Sequence, residues 1–305
     1  MILSLAALPA AGDMAYVTNQ NGETLSVLDL GSGALIESVP VPGQPAGIHA
    51  DPSGIYTVSP DSKTVRRFDP ESLEVLAEVT LDGGPTGVAL DPERRRLFVS
   101  DWYNARLFVL DAETLALTRT LETGAAPAGI ALSPDGRTLA SADRDADRVS
   151  LYDAETLELQ SAVTVGTRPF GLRFAPDGRL FVGNVGTNDV SVVDTASASV
   201  TATVAVGDRP YGVAFAQGRA FVTNQYANTV SVIDLESLDV IETLDVGEYP
   251  EGIDASADGS LIVTANWFEN TVTLIDAARL EVTGEIETGD GPRAFGVFVM
   301  GGDTP

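Results

Sequence analysis

Apolar positions along the chain come in short runs, too short to leave room for helices. One stretch reads Gly212-Val213-Ala214-Phe215, Arg219-Ala220-Phe221-Val222, Thr229-Val230-Ser231-Val232-Ile233 and Val240-Ile241-Glu242-Thr243-Leu244. The third run alternates apolar and polar side chains, the period of a strand with one face covered. Turn chemistry separates such runs, as in Ser133-Pro134-Asp135-Gly136 and Ala175-Pro176-Asp177-Gly178. Four β-branched runs bounded by turns predict a four-stranded antiparallel unit.

The unit recurs. A turn of the form Gly43-Gln44-Pro45-Ala46-Gly47 returns at Pro85, Pro127, Pro169, Pro210, Pro250 and Pro292, with spacings of 40, 42, 42, 41, 40 and 42 residues. An Asp that ends the third run, first at Asp29, returns at Asp69, Asp111, Asp153, Asp194, Asp234 and Asp276 with the same spacings. A four-stranded repeat of ~40–45 residues is the size of a propeller blade. Two markers in register therefore predict an all-β, seven-bladed β-propeller.

With the strands of a blade lettered A to D from the channel outward, the first B strand, Met14 to Thr18, has no Pro-x-Gly turn before it. Arg293 to Phe298, after the last turn, is expected to supply the missing A strand, so that one blade joins both chain ends and leaves no open sheet edge. Residues 13–300 then form a single propeller and 301–305 a tail. Met1–Gly12 stands outside the ring; its apolar run ends in small residues and resembles the second half of a secretory signal, cleaved near Ala11 or Gly12. A periplasmic or extracellular monomer is the expectation, without a membrane span, since no run approaches ~18–20 apolar residues.

The B strand and the residue after it read Tyr16-Val17-Thr18-Asn19 in one blade and Phe221-Val222-Thr223-Asn224 in another, with variants Phe98-Val99-Ser100-Asp101 and Val263-Thr264-Ala265-Asn266. Together with Thr229 to Asp234 these resemble the YVTN-repeat β-propellers over residues 13 to 300. The resemblance implies an exported seven-bladed propeller of bacterial or archaeal type. It is shared with surface-layer-type proteins, with periplasmic proteins encoded near quinoprotein dehydrogenases and, more distantly, with quinoprotein amine dehydrogenase heavy chains and haem d1 domains. It implies no catalytic residue set, and the His ligands of the haem-binding relatives have no counterpart here.

Composition narrows the chemistry. The chain has 18 Lys and Arg against 44 Asp and Glu, a net charge of −26, no Cys and one His. Disulfides, thiolate metal sites and covalently attached c-type haem are excluded. His-rich metal sites fall with the single His49, and a nucleic-acid backbone is disfavoured as a partner. His49, just inside an A strand, reads as a core residue. Asp143-Arg144-Asp145-Ala146-Asp147 has the alternating oxygens of a calcium loop but lacks the glycine and distal Glu of an EF-hand, and reads as a solvated loop. Glu93-Arg94-Arg95-Arg96 reads as a solvated hairpin.

Repeats provide an internal control, because a residue type present in every blade is architecture. After each Pro the slot reads Ala46, Thr86, Ala128, Phe170, Tyr211, Glu251 and Arg293; before it, Gln44, Gly84, Ala126, Arg168, Arg209, Tyr249 and Gly291. The last four turns thus bring Arg168, Arg209, Arg293, Phe170, Tyr211, Tyr249 and Glu251 to one channel mouth. The loops between B and C strands add Trp102, Tyr103, Tyr226, Trp267 and Phe268 on the same face. Aromatic rings beside guanidinium groups are the composition of a recognition surface. These twelve residues are the expected ligand or partner site of a non-enzymatic binding protein, its ligand an anionic small molecule, a peptide or a protein. No catalytic or metal-ligating residue is assigned. The alternative is an accessory protein or subunit of a quinoprotein dehydrogenase system, with pyrroloquinoline quinone or calcium as the cofactor to test. A further alternative is a hydrolase or lyase drawing on a carboxylate pair among Asp61, Asp101, Asp143, Asp145 and Glu251.

Overall fold

The computed structural model describes residues 12–302; the signal-like reading of Met1–Ala11 and the last three residues of the tail lie outside them. The chain forms seven antiparallel sheets of at least four strands each, the seven-bladed ring expected from the repeat. Blade 6 shows the common plan. Its A strand is Pro210–Ala216, B Arg219–Asn224, C Thr229–Asp234 and D Val240–Asp245, paired in that order. B and C strands are buried almost throughout, whereas D strands face solvent. The core lies between blades, as where Phe181 of blade 5 meets Phe215 of blade 6 edge-on at 5.2 Å.

Every C strand ends in, or in blade 2 is followed by, an Asp that accepts backbone N–H groups of the following turn, for example Asp234 Oδ1 from Glu236 at 3.0 Å and Ser237 at 2.8 Å. The Asx that ends the B strand in six blades, Ser59 taking its place in blade 2, is equally structural. Asp101 Oδ1 accepts Gly84 N at 2.8 Å, and Asn224 Nδ2 donates to Thr229 Oγ1 at 3.0 Å and Ser231 Oγ at 2.9 Å. The Gly of each Pro-x-Gly turn sits against the next blade. A Cβ on Gly171 would come within 1.9 Å of the Tyr211 carbonyl oxygen, and one on Gly47 within 2.2 Å of that of Thr86. Only glycine lets adjacent A strands approach this closely around the axis.

Ring closure follows the expected logic with a different register. Pro292 bridges Asn19, Arg293 N donates to Thr18 O at 2.7 Å, and the short strand Val299–Met300 pairs with Ala15 and Met14. Arg293 to Phe298 was expected to form the strand itself. Instead Phe295–Val297 leaves the ladder and pairs in parallel with Gly47–His49 of blade 2. Eight residues from Pro292 to Val299 face only five from Asn19 to Ala15, so the surplus must bulge toward the axis. Asp254 of blade 7 holds the bulge: its Oδ2 accepts Phe298 N at 2.8 Å and Val299 N at 2.9 Å, and its Oδ1 meets Arg173 Nη1 at 2.7 Å. No helix among the described residues is long and apolar enough to cross a membrane.

Candidate functional site

One mouth of the channel is a cavity of about 560 Å³. Two rings of equivalent positions build it. The floor ring is the residue after each Pro. The upper ring is the residue after each B-strand Asx, whose N–H in most blades donates to the carbonyl of the residue before Pro: Trp102 N to Gly84 O at 2.9 Å, Gln225 N to Arg209 O at 3.0 Å, Trp267 N to Tyr249 O at 3.0 Å. Floor and wall are thereby locked together blade by blade. Floor residues Ala46, Thr86 and Ala128 of blades 2 to 4 are small, while Phe170, Tyr211, Glu251 and Arg293 fill the other side.

The filled side is a connected polar network. Arg293 Nη2 donates to Tyr211 Oη at 2.5 Å and Nη1 to Gln20 Oε1 at 3.1 Å, and its Nε lies 3.0 Å from Glu251 Oε2. Gln225 Nε2 donates to Glu251 Oε1 at 2.5 Å, and Trp267 Nε1 to Gln20 Oε1 at 3.2 Å. Burial pushes the Glu251 carboxyl above its usual value, against the pull of the Arg293 charge and the Gln225 bond. Burial works against the Arg293 charge as well, yet Glu251 and Tyr211 more than offset it and hold the guanidinium protonated. The Tyr211 phenol is pushed up by burial. Beneath the network, Phe170, Tyr211 and Phe295 pack into a septum with ring centroids 4.4 to 5.6 Å apart.

The walls are aromatic. Tyr249 lies 5.6 Å from Tyr226, 5.9 Å from Trp267 and 4.8 Å from Phe268, and burial beside Tyr226 pushes its phenol up to about 12. Tyr226 and Phe268 remain exposed, as does Tyr103 on the Trp102 side. Arg209 stacks on Tyr226 at 4.7 Å and donates from Nη1 to its Oη at 2.9 Å. No carboxylate pairs with Arg209 among the described residues, and its buried Nε has no partner; neither has the buried Gln225 Oε1. Arg209 and Tyr249 have φ of +60° and +62°, the left-handed shape that Gln44, Ala126, Arg168 and Gly291 take at the matching slot of other blades, so this turn geometry belongs to the repeat and not to the site.

Ten of the twelve expected residues line this cavity and an eleventh, Tyr226, contacts a lining residue; together they form one site rather than scattered rim positions. Arg168 is the one that stands apart. It shares the positive φ of Arg209, at +56°, and donates its N–H to Asp147 Oδ1 at 2.7 Å, but its side chain is exposed and does not line the cavity. Phe170 and Tyr211 are buried and serve as floor. Three polar or charged lining residues stand outside the expected set: Gln20, Arg144 and Gln225. Each directly follows the B-strand Asx, the slot of Trp102 and Trp267, so the offset alone would have found them. Arg144 stacks over Trp102 at 5.4 Å and meets Asp145 at 2.5 Å.

Asp143 is buried and bonded to Ser150, Gly124 and Arg148, while Asp147 is engaged by Arg168 N. These carboxylates turn to separate partners, and no group of three or more His, Asp and Glu converges among the described residues. Glu251 is the single carboxylate lining the cavity. The Glu93–Arg96 hairpin is bound to the protein: Arg94 pairs with Asp91 at 3.2 Å, Arg95 with Glu113, and Arg96 reaches Ala154 O of blade 4 at 2.7 Å.

A model of the YNCE-like beta-propeller family matches residues 94–213 and 188–302. Among solved structures, hydrazine synthase of Kuenenia stuttgartiensis is similar at 18% identity and a TM-score of 0.77, over 92% of this chain and 99% of that one. A protein of Desulfotomaculum acetoxidans described as functionally unknown aligns at 15% identity and a TM-score of 0.80, over 92% and 98%. The dihydro-heme d1 dehydrogenase NirN, in complex with DHE, aligns at 16% and 0.68, over 94% and 75%. At these identities the likeness is one of fold. No curated protein matches the chain.

Proposed function

On the premise that this chain belongs to the YNCE-like β-propeller family, we propose that it is a non-enzymatic binding protein whose Arg/aromatic mouth holds an anionic organic ligand, either a small carboxylate or an acidic peptide side chain. The observation that carries this reading is Arg209: a guanidinium stacked on Tyr226, without a carboxylate partner, with a buried unpartnered Nε, at the wall of an aromatic cavity. Unpaired donors inside a low-dielectric cavity favour an incoming anion, which supplies the missing acceptors. Arg144 stands across the cavity beside Trp102, and Arg293 is already neutralised by Glu251. The flat walls of Tyr249, Trp267 and Phe268 suit the apolar part of the ligand. The signal-like run at Ile2–Ala11 supports export as part of the same proposal.

Both tryptophans of the chain line this cavity, so tryptophan emission reports on it alone. Titration with aromatic and aliphatic mono- and dicarboxylates and acidic peptides is expected to give a saturable, salt-sensitive change with at least one class. The combined variant Trp102→Ala, Arg209→Ala and Trp267→Ala, followed by calorimetry, should bind that ligand at least tenfold more weakly. Unchanged affinity would overturn the reading.

A further inference from the structure

Below the Phe170–Tyr211–Phe295 septum lies a second chamber of about 420 Å³, which reaches the opposite face at the A–B turns of blades 3 and 4 beside Glu93 and Pro134. Its walls are the A strands, chiefly Val88, Ile130, Leu172 and Phe174. Here too the repeat is its own control. Two residues after the turn glycine the slot is Ala89, Ala131 and Ala214 in three blades, but His49, Arg173 and Asp254 in three others. Those three polar residues come from blades 2, 5 and 7 and meet at the axis.

Closure of the ring explains Asp254, which holds Phe298 and Val299, and it explains one edge of Arg173. It explains neither the rest of Arg173 nor His49. Arg173 makes no hydrogen bond beyond the Asp254 pair among the described residues, and 27% of its side chain is exposed to the chamber it lines. The His49 imidazole makes no side-chain hydrogen bond among the described residues, although the residue is half-buried and lines the same space. Burial pushes it down to about 4, against the nearby Asp51 carboxylate, so it is uncharged at neutral pH and offers one N–H and one acceptor nitrogen.

We propose that this chamber is a second binding site, for a small, uncharged, mostly apolar ring compound that carries a hydrogen-bond-accepting carbonyl or ether directed at Arg173 and His49. The volume falls in the ~300–1,000 Å³ of small-molecule pockets, and an apolar wall with a few convergent polar groups is their usual composition. Charge selects for neutrality. Arg173 is matched by Asp254 and Asp91 by Arg94, and Glu93, unpaired among the described residues, sits exposed to water at the opening, so no uncompensated cation awaits an anion inside, while the guanidinium repels a cationic guest. The site stands independently of the anion-binding reading of the other mouth.

The probe is prodan, 6-propionyl-2-(dimethylamino)naphthalene, which is neutral and bicyclic and bears one carbonyl. Titration into the intact chain is expected to give saturable one-to-one binding with blue-shifted probe emission. Leu132→Trp, which fills the chamber from a partly exposed wall position, should lower affinity at least tenfold; Val297→Phe is the alternative obstruction if that variant misfolds. His49→Leu should lower affinity about fivefold, the worth of one net hydrogen bond of ~1 kcal/mol. Arg209→Ala with Trp267→Ala should leave binding unchanged. The site is overturned by absence of saturable binding, by binding that survives obstruction in a folded variant, or by binding that the Arg209 and Trp267 substitutions remove. An unaltered affinity in His49→Leu overturns the proposed acceptor chemistry.

Discussion

The two ends of the channel are lined by the same A strands, a few residues apart, yet they differ in nearly every physical respect. The mouth above the septum is broad, aromatic and rich in guanidinium; the chamber below is apolar, with its one guanidinium already paired. The difference comes from two slots of one repeat. The residue after Pro is large or charged in blades 5 to 7 and at Arg293, and the residue two past the turn glycine is polar in blades 2, 5 and 7. A repeat that would close perfectly well on alanine carries its individuality at these slots. Paired charges there maintain the ring, and unpaired donors remain available to a guest.

The sharpest way to break this division is to remove a paired charge. Asp254→Ala should destabilise the fold by about 3–5 kcal/mol, because it strips the acceptor from Phe298 and Val299 and leaves Arg173 without a carboxylate. Denaturant unfolding would show it; a loss below 1 kcal/mol would mean that the clasp does not depend on this carboxylate. Next comes pH. His49 is depressed to about 4 in the fold against an unfolded value near 6.5, so the unfolded chain binds more protons between these values. Stability from this group is fully present above pH 6.5 and declines as pH falls toward 4, by at most roughly 3 kcal/mol, since water in the chamber softens the effect. Asp51, Arg173 and Asp254 face the ring, and His49→Leu should flatten this part of the stability profile.

Removing an unpaired charge should behave differently. Arg209→Ala is expected to leave the denaturation midpoint nearly unchanged, because it breaks no ion pair, while weakening anion binding about tenfold, or ~1.4 kcal/mol. A large stability loss in that variant would place Arg209 with the scaffold. The smallest effect belongs to the outer turns. Asp29, Asp69, Asp111, Asp153, Asp194 and Asp234 are held below the ordinary carboxylate value, chiefly by turn N–H groups. Each therefore favours the fold above about pH 4 and loses that contribution as it protonates below. Asp234→Ala should lower the melting temperature slightly at pH 7 and not at pH 2, and an equal shift at both would show that hydrogen-bond acceptance by the carboxyl oxygen, not its charge, matters.

Much of the scaffold was legible beforehand. The period of Pro and Asp markers located all the blades, and the comparison of equivalent slots separated structural Asx residues from site residues. Legibility failed where contact across the axis decides. Arg168 and Arg209 occupy equivalent positions with the same positive φ, yet one side chain faces solvent and the other the cavity. The three cations expected at the mouth look alike in sequence, but Arg293 is neutralised by Glu251, Arg168 faces solvent, and Arg209 turns an unpaired guanidinium into the cavity. Arg96, Arg179 and Arg219, unremarkable in sequence, strap neighbouring blades through carbonyls of Ala154, Leu235 and Ala277 at 2.7 Å.

By itself the sequence determined the blade, its number and its closure, because strand period, turn chemistry and the close-approach glycines are local and repeat with the chain. The tertiary structure alone decided which of the repeated slots meet. Residues several blades apart in sequence, such as His49, Arg173 and Asp254, become neighbours only when the ring closes. Burial, ion pairing and the division of the channel into two chambers all arise at that convergence, where no window of sequence contains the partners.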